Sequence, residues 1–148
     1  MSSNLAFSNS TSKRYALALY ELSKENSELE KTEKEIRSLE NLLKSSNDFQ
    51  SMILNPTIGK FEQEKAIIKI SDYLGFSQTF KNFLGLLVFK RRLFFLNKIT
   101  DSFLNLVSLN KGELIAQLLS SKKLSNEEIN NIKKSLSEYL GRSVIINY

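Results

Sequence analysis

Apolar residues recur at helical spacing through the first two-thirds of the chain, and in two segments they cover more than one face. These segments are residues 13–22 and residues 80–96. A helix with two apolar faces must bury both of them, one inside its own bundle and the other against something else. The pattern therefore predicts a helical bundle in which two helices keep a face available to a partner.

The periodicity separates the apolar residues of each segment into two stripes. In the first segment one stripe contains Tyr15, Ala18, Leu19 and Leu22, and the other contains Ala16 and Tyr20. In the second segment one stripe contains Phe80, Phe83, Leu84 and Leu87, and the other contains Asn82, Gly85, Leu86 and Phe89. Glycine inside a helix costs ~1 kcal/mol relative to alanine, so we expect another backbone to approach closely at Gly85. Pairing this stripe with the small Ala18 would form a shallow groove for an amphipathic partner helix; the alternative is that both faces are core.

Six helices are predicted in residues 12–110, after a disordered lead over residues 1–11. The first begins near residue 12, with Thr11 or Ser12 as its N-cap. The others span residues 26–45, 48–54, 61–74, 78–90 and 92–109. In the second of these helices the charged residues, Glu35 among them, are expected to cover the solvent face.

The pattern changes after Gly112, where residues 114–119 form a short apolar run. Ser125 and Glu128 make a capping box for a helix that ends at Gly141, and Val144 begins a second short strand. Residues 111–148 are therefore predicted to form a strand–helix–strand segment. Because two strands alone are marginal in water, we expect either that the natural chain continues or that this segment is poorly ordered. The fold class is mainly α, a six-helix bundle followed by a small, incomplete α/β segment.

The composition argues against chemistry. The chain has no cysteine and no histidine, which removes disulfides, zinc patterns and the usual general base. There is no glycine-rich phosphate loop and no dinucleotide fingerprint. The pair Glu127 and Glu128 belongs to a helix start, where negative charge is favourable. We therefore expect a protein that is not an enzyme and uses no metal or cofactor.

Charge and hydropathy bear on location and partners. The net charge is +5, which fits acidic partners in general. No run approaches the ~20 apolar residues that span a bilayer, and residues 1–12 lack the apolar core of a secretory signal. We expect the chain to remain on the cytoplasmic side.

Lys90, Arg91 and Arg92 form the main basic cluster, with Phe89, Phe94 and Phe95 nearby. Cations beside aromatic rings could bind nucleic acid through phosphate contacts and stacking, which gives the alternative function of a small basic helical adaptor. The competing interpretation is a polar linker between two helices, with one or more cations paired to a carboxylate inside the bundle.

The order and spacing of several motifs together resemble the delta subunit family of the ATP synthase, whose mitochondrial relative is the oligomycin sensitivity-conferral protein. The N-terminal motifs are Arg14-Tyr15-Ala16-x-Ala18-Leu19, Asn55-Pro56, Asn82-Phe83-Leu84-x-x-Leu87, Arg92-Leu93-x-x-Leu96-x-x-Ile99 and Phe103. The later ones are Ser120-Ser121, Leu124-Ser125, Gly141 and Val144. The similarity spans about residues 12–147.

The resemblance implies a stator subunit in the peripheral stalk of a proton-translocating rotary ATP synthase. In the family, helices one and five of an N-terminal six-helix bundle hold the N-terminal helix of an alpha subunit of the catalytic head. The C-terminal part contacts the b subunits of the stalk. The resemblance implies no catalysis, no nucleic-acid partner, and a peripheral position at the cytoplasmic face of a bacterial membrane, which the chain would reach only through the complex. Carried onto this sequence, the partner-binding residues are Tyr15, Ala18, Leu22, Asn82, Leu86 and Phe89.

One departure from the family pattern concerns the C-terminal end. The family usually continues past the second strand into a glycine-rich hairpin and a final helix, which this sequence does not contain. We therefore expect stalk binding to be affected and head binding to be unaffected.

Overall fold

The computed structural model of the protein describes residues 2–112 and 114–148. The helices are α1 (Ser2–Glu25), α2 (Leu29–Ser45), α3 (Asn47–Leu54), α4 (Lys60–Tyr73), α5 (Gln78–Phe89), α6 (Leu96–Asn110) and α7 (Asn126–Leu140). A 3-10 turn, Leu93–Phe95, precedes α6, and the strands are β1 (Leu114–Gln117) and β2 (Val144–Asn147). The predicted fold class, a helical bundle followed by a strand–helix–strand segment, is confirmed.

The chain divides into two compact units, Met1–Leu104 and Asn105–Tyr148. This division falls within α6, whereas the predicted domains met between residues 110 and 111. The first unit contains the bundle and the second contains the strand–helix–strand segment.

The core of the bundle consists of large side chains that are almost completely buried. They include Leu19, Ile36, Leu39, Phe80, Leu84, Leu87, Leu93, Leu96, Ile99 and Phe103. Aromatic rings add specific geometry, since Phe80 meets Phe76 edge-on at 4.9 Å between centroids and Tyr20 meets Phe103 in the same way at 6.2 Å. Burial of these stripes holds the helices together, because apolar area removed from water is the main favourable term in folding.

Helix α1 begins earlier than the sequence indicates. Residues 2–11, expected to be a disordered lead, lie within the helix, and this stretch contains no proline or glycine to interrupt it. The prediction that Thr11 or Ser12 caps the helix is wrong, because both residues lie inside α1 and are buried.

Glu35 was expected on the solvent face of α2, and this prediction is wrong. Its side chain is buried, and its carboxylate accepts hydrogen bonds from the backbone N–H and the hydroxyl of Ser77, the latter at 3.0 Å. Ser77 is itself the N-cap of α5, with its hydroxyl accepting from the Phe80 N–H at 3.3 Å. The carboxylate therefore fixes the start of α5 against the middle of α2.

The second unit contains a parallel two-stranded sheet, in which Leu114 is paired with Val144 and Gln117 with Asn147. The capping box of α7 is present, with the Glu128 carboxylate accepting from the Ser125 N–H at 2.8 Å. Gly141 ends α7 in the left-handed conformation that suits glycine, at φ 65°. Local sequence signals thus place α7 and its end, whereas the period of residues 114–119 alone did not decide between strand and helix.

Candidate partner-binding surface

Helices α1 and α5 lie next to each other and run in opposite directions. At one end, the Thr79 hydroxyl donates to the Glu28 carboxylate, just after α1, at 2.8 Å. Further along, the Tyr15 ring meets the Phe83 ring edge-on at 6.5 Å. Arg92, just after α5, lines one cavity together with Tyr15 of α1. The predicted neighbours are therefore neighbours in the structure.

On α1 the predicted stripes divide differently from the sequence expectation. Leu19 joins Ala16 and Tyr20 in the core. Tyr15 is half-buried and Ala18 is exposed, while Leu22 keeps 42% of its surface exposed. The three residues proposed for partner binding on α1 thus share the outward side of the helix.

On α5 the two stripes separate as predicted. The first stripe is buried and consists of Phe80, Phe83, Leu84 and Leu87. On the second, Asn82 is exposed, Leu86 is 43% exposed and Phe89 is 64% exposed. The outward row thus leaves two large apolar side chains partly in water, Leu86 within α5 and Phe89 at its last residue.

The cavities nearby show which of these residues come together. Tyr15 and Ala18 line a cavity of about 400 Å³ with Thr11, Arg14 and Arg92. Asn82 lines a separate cavity of about 480 Å³, formed with α4 residues such as Ile67 and Ile68. The outward rows of α1 and α5 therefore border two concave regions.

Gly85 lies on the α4 side of α5 and lines the larger cavity. A Cβ atom added at Gly85 would meet nothing within 4 Å. Among the described residues no other part of this chain therefore approaches Gly85 closely, and the expected close approach of another backbone stays a prediction for a partner helix. The space beside this glycine is open.

The basic cluster after α5 makes contacts with rings and backbone. The Lys90 ammonium lies 5.8 Å from the centre of the Phe89 ring, and the Arg91 guanidinium donates to the Ile58 carbonyl oxygen at 3.4 Å. Neither side chain forms an ion pair with a carboxylate in the described part of the chain. One or more of the three cations was expected to pair with a carboxylate inside the bundle, and Lys90 and Arg91 do not supply that pair.

A carboxyl pair lies elsewhere in the bundle, where Glu40 of α2 neighbours Asp101 of α6. Burial raises the pKa of the Glu40 carboxyl, and the hydrogen bond and negative charge of Asp101 raise it further, while Lys44 and Thr100 act in the opposite direction. The sequence gives no signal for this pair because the two residues lie on different helices. Asp101 is exposed, so the pair lacks the shielded pocket that acid–base catalysis requires.

Among the described residues, no group of three or more potential ligands could hold a metal ion. Within the same residues, no helix is long and apolar enough to cross a membrane. Fold and surface together define a mainly helical protein whose two adjacent helices, α1 and α5, carry outward apolar rows.

Comparison with known proteins identifies the family. The model of the ATP synthase delta (OSCP) subunit family matches residues 11–148, and the chain belongs to this family. It is 42% identical over 148 residues to ATP synthase subunit delta of Pelagibacter ubique, covering 100% of this chain and 80% of that protein. It is 34% identical over 147 residues to ATP synthase subunit delta of Fuscovulum blasticum, covering 99% of this chain and 79% of that protein.

A solved structure supports the fold independently. A chain of the Toxoplasma gondii mitochondrial ATP synthase hexamer superimposes with a TM-score of 0.74 at 23% identity, covering 93% of this chain and 77% of that chain. The resemblance to the delta subunit family that the sequence motifs indicated is confirmed by the family model and by these two relatives.

Proposed function

We propose that this protein is a stator subunit of a proton-translocating rotary ATP synthase. In this role it links the N-terminal helix of an alpha subunit of the catalytic head to the b subunits of the peripheral stalk, without catalysing a reaction itself. The observation that carries the proposal is the outward row of apolar residues on α1 and α5 in a member of the delta subunit family. The protein would be peripheral, at the cytoplasmic face of a bacterial membrane.

The contact with the head would rest on Tyr15, Ala18 and Leu22 of α1 and on Asn82, Leu86 and Phe89 of α5. Leu22, Leu86 and Phe89 each expose a large part of an apolar side chain, which a helix laid across them would remove from water. Apolar burial contributes ~25 cal/mol per Å², before the losses of freedom on association are subtracted. Ala18 provides the small residue over which a partner backbone can pass.

The proposed contact with the alpha subunit serves its purpose by remaining bound. A stator resists rotation of the head, so the useful property of the contact is a slow dissociation rate under load. Dissociation rates respond to the quality of buried packing more than association rates do. A two-helix apolar surface is suited to this requirement.

The first experiment is titration calorimetry of the full chain with a peptide that copies the N-terminal segment of the alpha subunit, at low and high salt. We expect saturable one-to-one binding that changes little with salt, because apolar burial is not screened by ions. Absence of binding by a folded chain would remove the head-binding assignment. Binding to nucleic acid that falls steeply with salt would instead favour the basic adaptor.

A charge placed on α1 tests the position of the surface. Ala18→Glu should weaken peptide binding strongly, since a buried unpaired carboxylate is costly, and should leave the helix folded because Ala18 is exposed. Leu17→Glu is the matched control: Leu17 is also exposed on α1 but points to a different side, so binding should be retained. Equal effects of the two substitutions would contradict the assignment of the α1 row.

Stalk binding is tested separately with the soluble part of the b subunits. Surface plasmon resonance on the full chain should detect the b subunits both in the presence and in the absence of the alpha peptide. Alpha-peptide binding without any b-subunit binding would restrict the role of this chain to the head.

A further inference from the structure

An apolar pocket lies at the end of the bundle where α3 and α5 finish. Its volume is about 430 Å³, and we call it the end pocket. It is lined by Ile53, Leu54, Asn55, Pro56, Gln63, Arg91, Leu93 and Phe94. Leu54 is 53% exposed and Phe94 is 49% exposed, although both border a concave surface. None of the six residues proposed for binding the alpha subunit lines this pocket, so it is a second surface.

The cation that lines the end pocket, Arg91, is not neutralised by a carboxylate. Its guanidinium donates to the Ile58 carbonyl oxygen at 3.4 Å. Arg91 forms no ion pair with any carboxylate among the residues that the structure describes. The lining of an apolar concavity therefore carries a positive charge, and an acidic partner with an apolar side chain would complement both properties.

The backbone of Arg91 has a conformation that glycine also adopts. Arg91 has φ 57°, in the left-handed region, directly after the residue that caps α5. The positive-φ positions after α4, α6 and α7 hold Gly75, Gly112 and Gly141, and the one after α1 holds Ser27. The Arg91 side chain can therefore be removed by substitution to glycine without straining the backbone.

We propose that the end pocket binds a peptide segment of a partner protein that carries an apolar side chain next to a carboxylate. A leucine or phenylalanine side chain would fill the space between Leu54 and Phe94, and the carboxylate would pair with the Arg91 guanidinium. The pocket is concave and has one aromatic ring, Phe94, in its lining, whereas single-stranded nucleic acid would require successive open aromatic faces for stacking. A lipid surface would likewise favour a protruding apolar patch over a recess.

The proposal is tested by nuclear magnetic resonance of the uniformly ¹⁵N-labelled full chain. The probe is a short synthetic amphipathic helix of leucine, alanine and glutamate, compared with a counterpart in which glutamine replaces glutamate. We expect amide shifts at Leu54, Arg91 and Phe94 with the acidic peptide, and roughly tenfold weaker binding of the glutamine peptide, because charge-assisted hydrogen bonds are the stronger kind. Shifts confined to α1 and the outward row of α5, or equal affinity for the two peptides, would overturn the proposal.

Arg91→Gly separates binding from stability. Glycine accepts the left-handed backbone, so the unfolding temperature should change little, while the affinity for the acidic peptide should fall about tenfold. Ser27→Gly is the matched control, because Ser27 also has φ 57° but lies after α1 and should leave binding unchanged. Leu54→Asp gives a second variant at an exposed position, and it should abolish binding. Unchanged affinity in the Arg91→Gly protein would overturn the proposal.

Two further measurements test other ligands for the end pocket and separate this proposal from the proposed function. Anionic phospholipid vesicles and single-stranded DNA should not compete with the acidic peptide for the end pocket; displacement of the peptide by either would contradict the choice of a protein partner. The Arg91→Gly protein should bind the alpha-subunit peptide like the unmodified chain. Loss of acidic-peptide binding with retained alpha-peptide binding keeps the two sites distinct.

Discussion

The bundle of residues 1–104 and the strand–helix–strand unit of residues 105–148 bury apolar side chains to very different extents. In the bundle, Leu39, Leu84, Leu87 and Phe103 are completely enclosed. In the second unit Val144 and Val107 are buried, while no residue of α7 is, and Tyr139 keeps 88% of its surface exposed. Secondary structure can therefore be well specified locally without a correspondingly large core.

Two polar contacts, one from each region, show two different roles that such contacts have. In the second unit the capping box joins Ser125 and Glu128, which are three residues apart. In the bundle Glu35 joins Ser77 across 42 residues. The first kind of contact defines one helix, whereas the second fixes two helices against each other. Stability of the bundle should consequently depend on residues that are far apart in the sequence.

Loss of a core ring should have the largest effect and should separate the two regions most clearly. Phe80→Ala removes a fully buried ring, and we expect the free energy of unfolding of the bundle to fall by about 3–5 kcal/mol. Ile132→Ala in α7 removes a half-buried side chain and should cost less than about 1 kcal/mol. Urea unfolding followed by circular dichroism measures both. Similar losses in the two proteins would break the comparison.

The buried carboxylate should give the next effect. Glu35→Ala leaves two donors of Ser77 without an acceptor, and we expect a loss of about 1–3 kcal/mol. Glu30→Ala is the matched control, since Glu30 lies on the same helix and is exposed; its effect should stay within about 0.5 kcal/mol. A double-mutant cycle with Ser77→Ala checks the hydroxyl bond, and strictly additive losses would show that this bond contributes nothing.

The capping box should give a smaller and more local effect. Ser125→Ala removes the hydroxyl that accepts from the Glu128 N–H, which should cost about 1 kcal/mol. Hydrogen exchange should accelerate for the amides of α7 and remain unchanged for α5. Ser135→Ala, an exposed position within α7, serves as the control and should change neither helix.

The smallest effect concerns pH. Because the pKa of Glu40 is raised in the folded protein, the folded state binds more protons than the unfolded state between the ordinary value of 4.5 and the raised value. The loss of folding stability caused by the ionised Glu40 carboxylate is therefore fully present above that pH window. It disappears as the pH falls through the window. Glu40→Gln should raise the unfolding temperature slightly at pH 7 and leave it unchanged near pH 4. An equal change at both pH values would contradict this origin.

Most of the correct predictions from the sequence rest on local signals. Helical periodicity and the stops at Asn55-Pro56, Gly75 and Gly141 place the helices of the bundle and α7. The same periodicity correctly separates the buried and outward stripes of α5. On α1 it groups the buried Leu19 with Tyr15, Ala18 and Leu22, because periodicity describes a helix face without saying where the neighbouring helices lie.

The features that the sequence could not predict depend on distant residues. A glutamate among charged neighbours is usually solvated, and only the arrival of Ser77 makes burial of Glu35 favourable. The end pocket likewise combines Leu54 with Arg91 and Phe94, which have no common motif. The six residues proposed for the alpha subunit were selected by motif and helical phase, and they stay a prediction until binding is measured.

The bond between Glu35 and Ser77 also has a consequence for the order of folding. Closing a segment of 42 residues requires that its ends meet before the contact can form, and this lowers the entropy of the chain. Helix α2 can form from its own short-range contacts, but the start of α5 acquires its second anchor only once the two helices have met. The contact should therefore form late, so that its removal accelerates unfolding more than it slows refolding. Glu35 would then slow the unfolding of the assembled bundle and prolong the lifetime of the folded state, rather than direct its formation.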